Sequence, residues 1–65
     1  MCISKLYIIE NGSEKLLIPE VLYLYEKGGR YIAVDLERKE HILEGCRIRF
    51  IDFIKHKIVM EKAEV

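Results

Sequence analysis

Turn-forming residues recur along this chain at intervals too short for a helix to fit between them. Asn11-Gly12, Gly28-Gly29 and Gly45 punctuate the sequence, and no segment between them repeats its apolar residues with a helical period. Short strands joined by tight turns are what such a pattern can form. Ile3 to Glu10 is rich in β-branched and aromatic residues and runs into Asn11-Gly12-Ser13, where Asn-Gly supplies the positive φ angles of a hairpin. Glu14 to Ile18 is expected to pair back on it. Pro19 has no N–H to give to a ladder and marks an edge, a bulge or a break before the next strand, Val21 to Glu26. In Val21-Leu22-Tyr23-Leu24-Tyr25 both faces are apolar, so one side is expected to meet the core and the other a partner or second sheet.

The pattern continues through the second half. Lys27-Gly28-Gly29-Arg30 is a turn, and Tyr31 to Leu36 alternates, with Ile32, Val34 and Leu36 expected inward and Tyr31, Ala33 and Asp35 outward. Glu37 to Lys39 turns, Glu40 to Leu43 is a short strand, and Glu44-Gly45-Cys46 turns again. Arg47 to Ile54 shifts its apolar phase between Phe50 and Ile51, which a β-bulge would produce. Lys55-His56-Lys57 turns into a last strand, Ile58 to Glu61, and the segment Ala63 to Val65 is expected to fray. The fold class predicted is all-β, a small SH3-like curled barrel of five or six short antiparallel strands.

The 65 residues bound the chain to one domain spanning 1–65. A chain of about 60 residues buries only about 60% of its unfolded surface, so added packing, a metal or dimerisation is expected to support it. The hydrophobic fraction of 51% comes largely from Ile, Leu, Val and Tyr, which leaves apolar surface for a second copy. Charges interrupt the first 30 residues from Lys5 onward, too often for a signal peptide or membrane span. A cytoplasmic location follows as the expectation, with both cysteines as free thiols. Eleven basic and eleven acidic residues cancel, removing the net attraction to phosphate on which most nucleic-acid binders rely.

Cys2 stands directly behind Met1. With Met1 removed, its α-amine and thiolate could close a five-membered ring on a metal, and following backbone amides could complete a square-planar N/S site suited to Ni(II) or Cu(II). With Met1 retained, the amine of Met1 and the amide of Cys2 could join the thiolate. The other reading is a small, partly buried hydrophobe opening a strand. Cys46 has no second cysteine near it in sequence and reads as a buried structural thiol. His41 and His56 read as solvated turn residues, neither at ligand spacing from another donor. No nucleophile–base arrangement, phosphate loop or paired carboxylates stand out, so an enzyme is not expected.

Several short elements together carry a resemblance: Met1-Cys2 before a strand, Glu20-Val21-Leu22 opening the second, a glycine turn before the third, and Glu40-His41 leading to Gly45. In these the chain resembles the CooT family. That resemblance implies a small cytoplasmic β-barrel homodimer that binds nickel through its second-position cysteine, here Cys2, with two copies brought together at the dimer interface. It also implies a role in maturing the nickel enzyme carbon monoxide dehydrogenase. The family has in addition been labelled as predicted RNA-binding, an inference from its type of fold.

Two other functions remain open on the residues alone. An RNA-binding module would set aromatic faces beside basic side chains, and Arg30, Tyr31, Arg47 and Arg49 are the candidates, with Tyr7, Tyr23 and Tyr25 extending the surface. Against this, tyrosines in strands commonly pack as cross-strand pairs, and Arg alternating with Ile48 and Phe50 is a solvated strand face. A protein-interaction module would use the two-sided strand Val21 to Tyr25.

Overall fold

The computed structural model describes residues 3–63. Six strands follow one another: β1 (Ser4–Glu10), β2 (Ser13–Lys27), β3 (Arg30–Asp35), β4 (Glu40–Leu43), β5 (Cys46–Asp52) and β6 (Lys57–Lys62). They form one curled sheet in the order β4-β3-β2-β1-β6-β5. Asn11 and Gly12 take φ angles of 52° and 79°, closing Glu10 onto Ser13, the paired positive φ angles of a two-residue hairpin. Gly28 and Gly29 do the same between Lys27 and Arg30.

One pairing departs from an antiparallel meander. β6 lies parallel to β1, with Leu6 opposite Ile58 and Ile8 opposite Met60. A parallel pair needs a long connection between its strands, and here β2 through β5 serve as that connection. No helix of the described residues is long and apolar enough to cross a membrane.

The expected strands on either side of Pro19 are one continuous strand, and bulging is how it accommodates the proline. The three steps of β2 from Ile18 to Val21 face the two steps of β1 from Ser4 to Leu6, and further extra residues fall between Leu16 and Ile18 and between Val21 and Tyr23. Each extra residue bends the strand and reverses which face the next side chain points to. Ile18, Val21 and Leu24 therefore all meet the core although they are three apart, and β2 can leave β1 and continue along β3. The same reversals turn Tyr23 and Tyr25 outward, where both are exposed.

Leu6, Ile8, Ile58 and Met60 from the parallel pair form the centre of the core with Ile18, Val21, Ala33 and Leu43. β3 keeps part of the phase read from sequence, since Val34 is buried as expected, but its neighbour Ala33, expected outward, is buried as well. Ala33 is fully buried and Tyr31 packs against the core, whereas Leu36 lies past the strand end and is exposed. Alanine contributes too little apolar surface to set a phase in a hydropathy pattern, and β3 is an interior strand on which Val34 is buried too. In β5 the bulge comes earlier than expected, with Arg49 as the extra residue between Ile48 and Phe50. That strand ends at Asp52 rather than Ile54 and begins at Cys46.

Candidate functional site

Met1 and Cys2, the predicted metal-binding residues, lie outside the described residues. The structure gives the surroundings of the strand they lead into. Ser4 faces Val21 across β1 and β2, and the Lys5 N–H donates to the His56 carbonyl at 2.9 Å. This bond ties the β5–β6 turn to the start of β1. Asp52 shapes the turn: its Oδ1 accepts the N–H groups of Ile54 and Lys55, each at 3.0 Å. His56 closes it with a φ of 52°. Held this way, Phe53 and Ile54 stand out at 80% and 91% exposure. Sequence reading had these two side chains inside a strand; the aspartate that could cap a turn two residues later was the missed signal.

On the β2 side of β1, the Leu36 N–H donates to the Glu20 carbonyl at 3.2 Å, pinning the bulged part of β2 against the β3–β4 loop. Between them opens a pocket of about 210 Å³ with walls from Leu17, Pro19 and Leu36 and carboxylates from Glu20 and Glu37. Asp35 and His41 lie at its polar side. Asp35 Oδ1 accepts the N–H groups of Glu37 and Lys39 at 2.9 Å each, and its Oδ2 is 2.8 Å from His41 Nε2. The His41 hydrogen bond and then the Lys39 N–H hold the Asp35 carboxyl below its ordinary range. An ionised carboxylate only accepts, so His41 Nε2 is the donor in this bond. His41 is thus a half-buried residue of β4, not the solvated turn residue expected. His56 does sit in a turn.

Of the residues read as a possible RNA surface, Tyr23 and Tyr25 are exposed, and the others are engaged with carboxylates, an ammonium or the core. Arg47 Nε donates to Glu61 Oε2 at 2.7 Å and Arg49 Nη1 to Glu61 Oε1 at 3.2 Å. The bulge at Arg49 brings both guanidinium groups onto one carboxylate, and Arg47 first, with Arg49, holds Glu61 below its ordinary range. Arg30 is 3.5 Å from Glu44, and Tyr31 packs on the core. Tyr7 carries Lys57 Nζ at 4.9 Å from its ring centroid, and that ammonium also pairs with Glu14 at 2.6 Å.

Cys46 is half-buried against the core, with its Sγ–H 3.5 Å from the Glu44 carbonyl. Among the described residues no three His, Cys, Asp or Glu side chains converge where they could hold a metal ion.

The fold defines a class of small all-β proteins built on one curled six-stranded sheet. The chain belongs to the CooT family of CO dehydrogenase accessory proteins, whose family model matches residues 1–61. Its fold is that of a candidate CooT from Carboxydothermus hydrogenoformans, a crystal structure that superposes with a TM-score of 0.83 over 97% of this chain and 100% of that one at 16% identity. No curated protein matches the chain in sequence.

Proposed function

We propose that the chain is a nickel-binding protein, a homodimeric metallochaperone or nickel carrier that holds the ion through the thiolate of Cys2 and serves the maturation of a CO dehydrogenase in the cytoplasm. The observation that carries this reading is the family match beginning at residue 1, so that it takes in Met1 and Cys2. A thiolate with amine or amidate nitrogen is a strong donor set for Ni(II). Two copies related by a two-fold axis would supply two thiolates and up to two nitrogens, four donors from two short chain starts. Such an ion bridges subunits and is released when they separate or when thiol and amide regain their protons. A reducing compartment keeps Cys2 available as a thiol.

A Ni(II) titration of reduced protein beside Cys2→Ser tests this. Expected is a saturable thiolate-to-nickel absorption at one ion per dimer that vanishes in the variant. Equal binding by both proteins removes Cys2 from the site.

A further inference from the structure

The chain has four arginines, and three of them have carboxylate partners: Arg30 with Glu44, and Arg47 and Arg49 with Glu61. Arg38 pairs with no carboxylate among the described residues. It stands instead at a pocket of about 230 Å³ whose other walls are Leu22, Tyr23 and Leu36. Tyr23 and Leu36 are exposed there, and no acidic residue contributes to the lining. Leu36 is the one residue this pocket shares with the acidic pocket beside Glu20 and Glu37. The backbone that carries Arg38 is held on both sides. Its N–H donates to the Asp35 carbonyl at 2.9 Å, and the N–H groups of Glu37 and Lys39 donate to Asp35 Oδ1 at 2.9 Å each. Its φ is 69°, which L residues other than Asn and Asp take uncommonly. Glycine would meet that angle with less strain, so the turn itself does not require an arginine, and strained positions of this kind cluster at ligand clamps.

We propose that this pocket docks an acidic segment of a partner protein: an apolar side chain of the segment seats against Leu22, Tyr23 and Leu36, and the carboxylate of a neighbouring Asp or Glu pairs with Arg38. A guanidinium fork matches a carboxylate through two parallel N–H donors, and the ring of Tyr23 offers an aromatic side chain an offset face. The charge of the site selects this occupant. Its lining presents one cation rather than the row of cations that a phosphate backbone takes. Its volume lies below the roughly 300 Å³ at which sites for free small molecules begin, so it suits one side chain of a longer chain. Because the turn is already fixed through Asp35, little ordering opposes the contact. The site uses neither Cys2 nor nickel and goes beyond the nickel-carrier reading.

The test is an NMR titration of isotope-labelled, metal-free protein with a capped five-residue peptide in which phenylalanine stands between two glutamates. Expected are saturable shifts confined to the amides around Leu22, Leu36 and Arg38, with a Kd at or below about 1 mM. Binding is expected to weaken at least ~10-fold in Arg38→Gly, to weaken in Tyr23→Ser, and to fall as salt is raised from about 0.05 M to about 0.5 M. Arg38→Gly is expected to melt no lower than wild type, since glycine accepts the positive φ, so that lost binding in this variant is not lost fold. Should Tyr23→Ser fail to fold, Leu36→Ser takes its place, Leu36 being exposed. A peptide with glutamines in place of the glutamates is expected not to bind. No saturable shift up to about 5 mM, equal binding by Arg38→Gly, or equal binding of the glutamine peptide overturns the proposal. Shifts of the same amides on dilution of the protein alone assign the pocket to a second copy, and tighter binding of a single-stranded RNA there assigns it to nucleic acid; either result also overturns it.

Discussion

Asp35 Oδ2 lies 2.8 Å from His41 Nε2, a side-chain hydrogen bond between the end of β3 and the middle of β4. The same carboxylate holds the intervening loop through two backbone N–H groups, so three donors converge on one ionised group. Its folded pKa is below the ordinary 3.8, the His41 hydrogen bond being the largest cause. A carboxyl lowered in the folded state stabilises it fully above the unfolded pKa, and that contribution is lost as pH falls through the folded value. Asp35→Asn is therefore expected to melt below wild type at pH 7, with the gap closing as both are taken to about pH 2. Thermal melts of the pair across that range check it; a gap independent of pH would mean the side chain acts through shape alone.

The parallel seam should be the most sensitive part of the core. Leu6 is fully buried between Ile58 on one side and Ile18 on the other. Truncating such a leucine costs about 2–5 kcal/mol, and in a domain this small each kcal/mol lowers Tm by roughly 4–8 °C. Leu6→Ala is expected to lose at least 8 °C or so by thermal circular dichroism. A smaller loss would show that the sheet closes over the gap.

Glu61 decides whether Arg47 and Arg49 are available to anything else. With both donating to it, wild type is expected to bind single-stranded RNA weakly at about 0.15 M salt, where exposed charges are screened beyond about 8 Å. Glu61→Gln frees a charge without changing shape, so fluorescence anisotropy should read a tighter, salt-dependent association in the variant. Micromolar binding by wild type that is lost in Arg47→Ala/Arg49→Ala would instead give these arginines a nucleic-acid role.

Nickel uptake should depend steeply on pH. Thiolate and amidate donors must shed protons to bind, so uptake is expected to fall between pH 8 and pH 6, with no matching loss of folded structure. Equal uptake at both would point to donors other than Cys2.

The sequence disclosed the strand count and the turns because Asn11-Gly12 and Gly28-Gly29 are chemistry that only a few backbone shapes use. It also pointed to bulging at Pro19 and in β5, since a missing N–H and a broken alternation are local signals. The parallel pairing of β1 with β6 has no local signal: it follows from which apolar faces meet once the hairpins exist. The burial of both faces of β3 was hidden by Ala33, whose burial depends on neighbours rather than on its own hydropathy. Likewise His41 reads as polar and near a turn, and its bond to Asp35 depends on two strands meeting. Neither arginine's partner was visible, because Glu61 is opposite Arg47 only through the β5–β6 register.

The pairing of β1 with β6 also governs how this sheet can come into being. Leu6 and Ile58 are about fifty positions apart in the chain and adjacent in the seam, so the middle of the sheet is the last part that chain order can supply. Two hairpin units, β1–β2–β3–β4 and β5–β6, can zip from their own turns, but each leaves an apolar face and an open edge until the other arrives. Contacts of such long sequence separation place assembly in the slow range for small domains, about milliseconds to seconds. A nascent chain that has emerged only as far as β5 carries strand β1 as a raw edge, and a companion chain in the same state offers the nearest substitute for the missing β6.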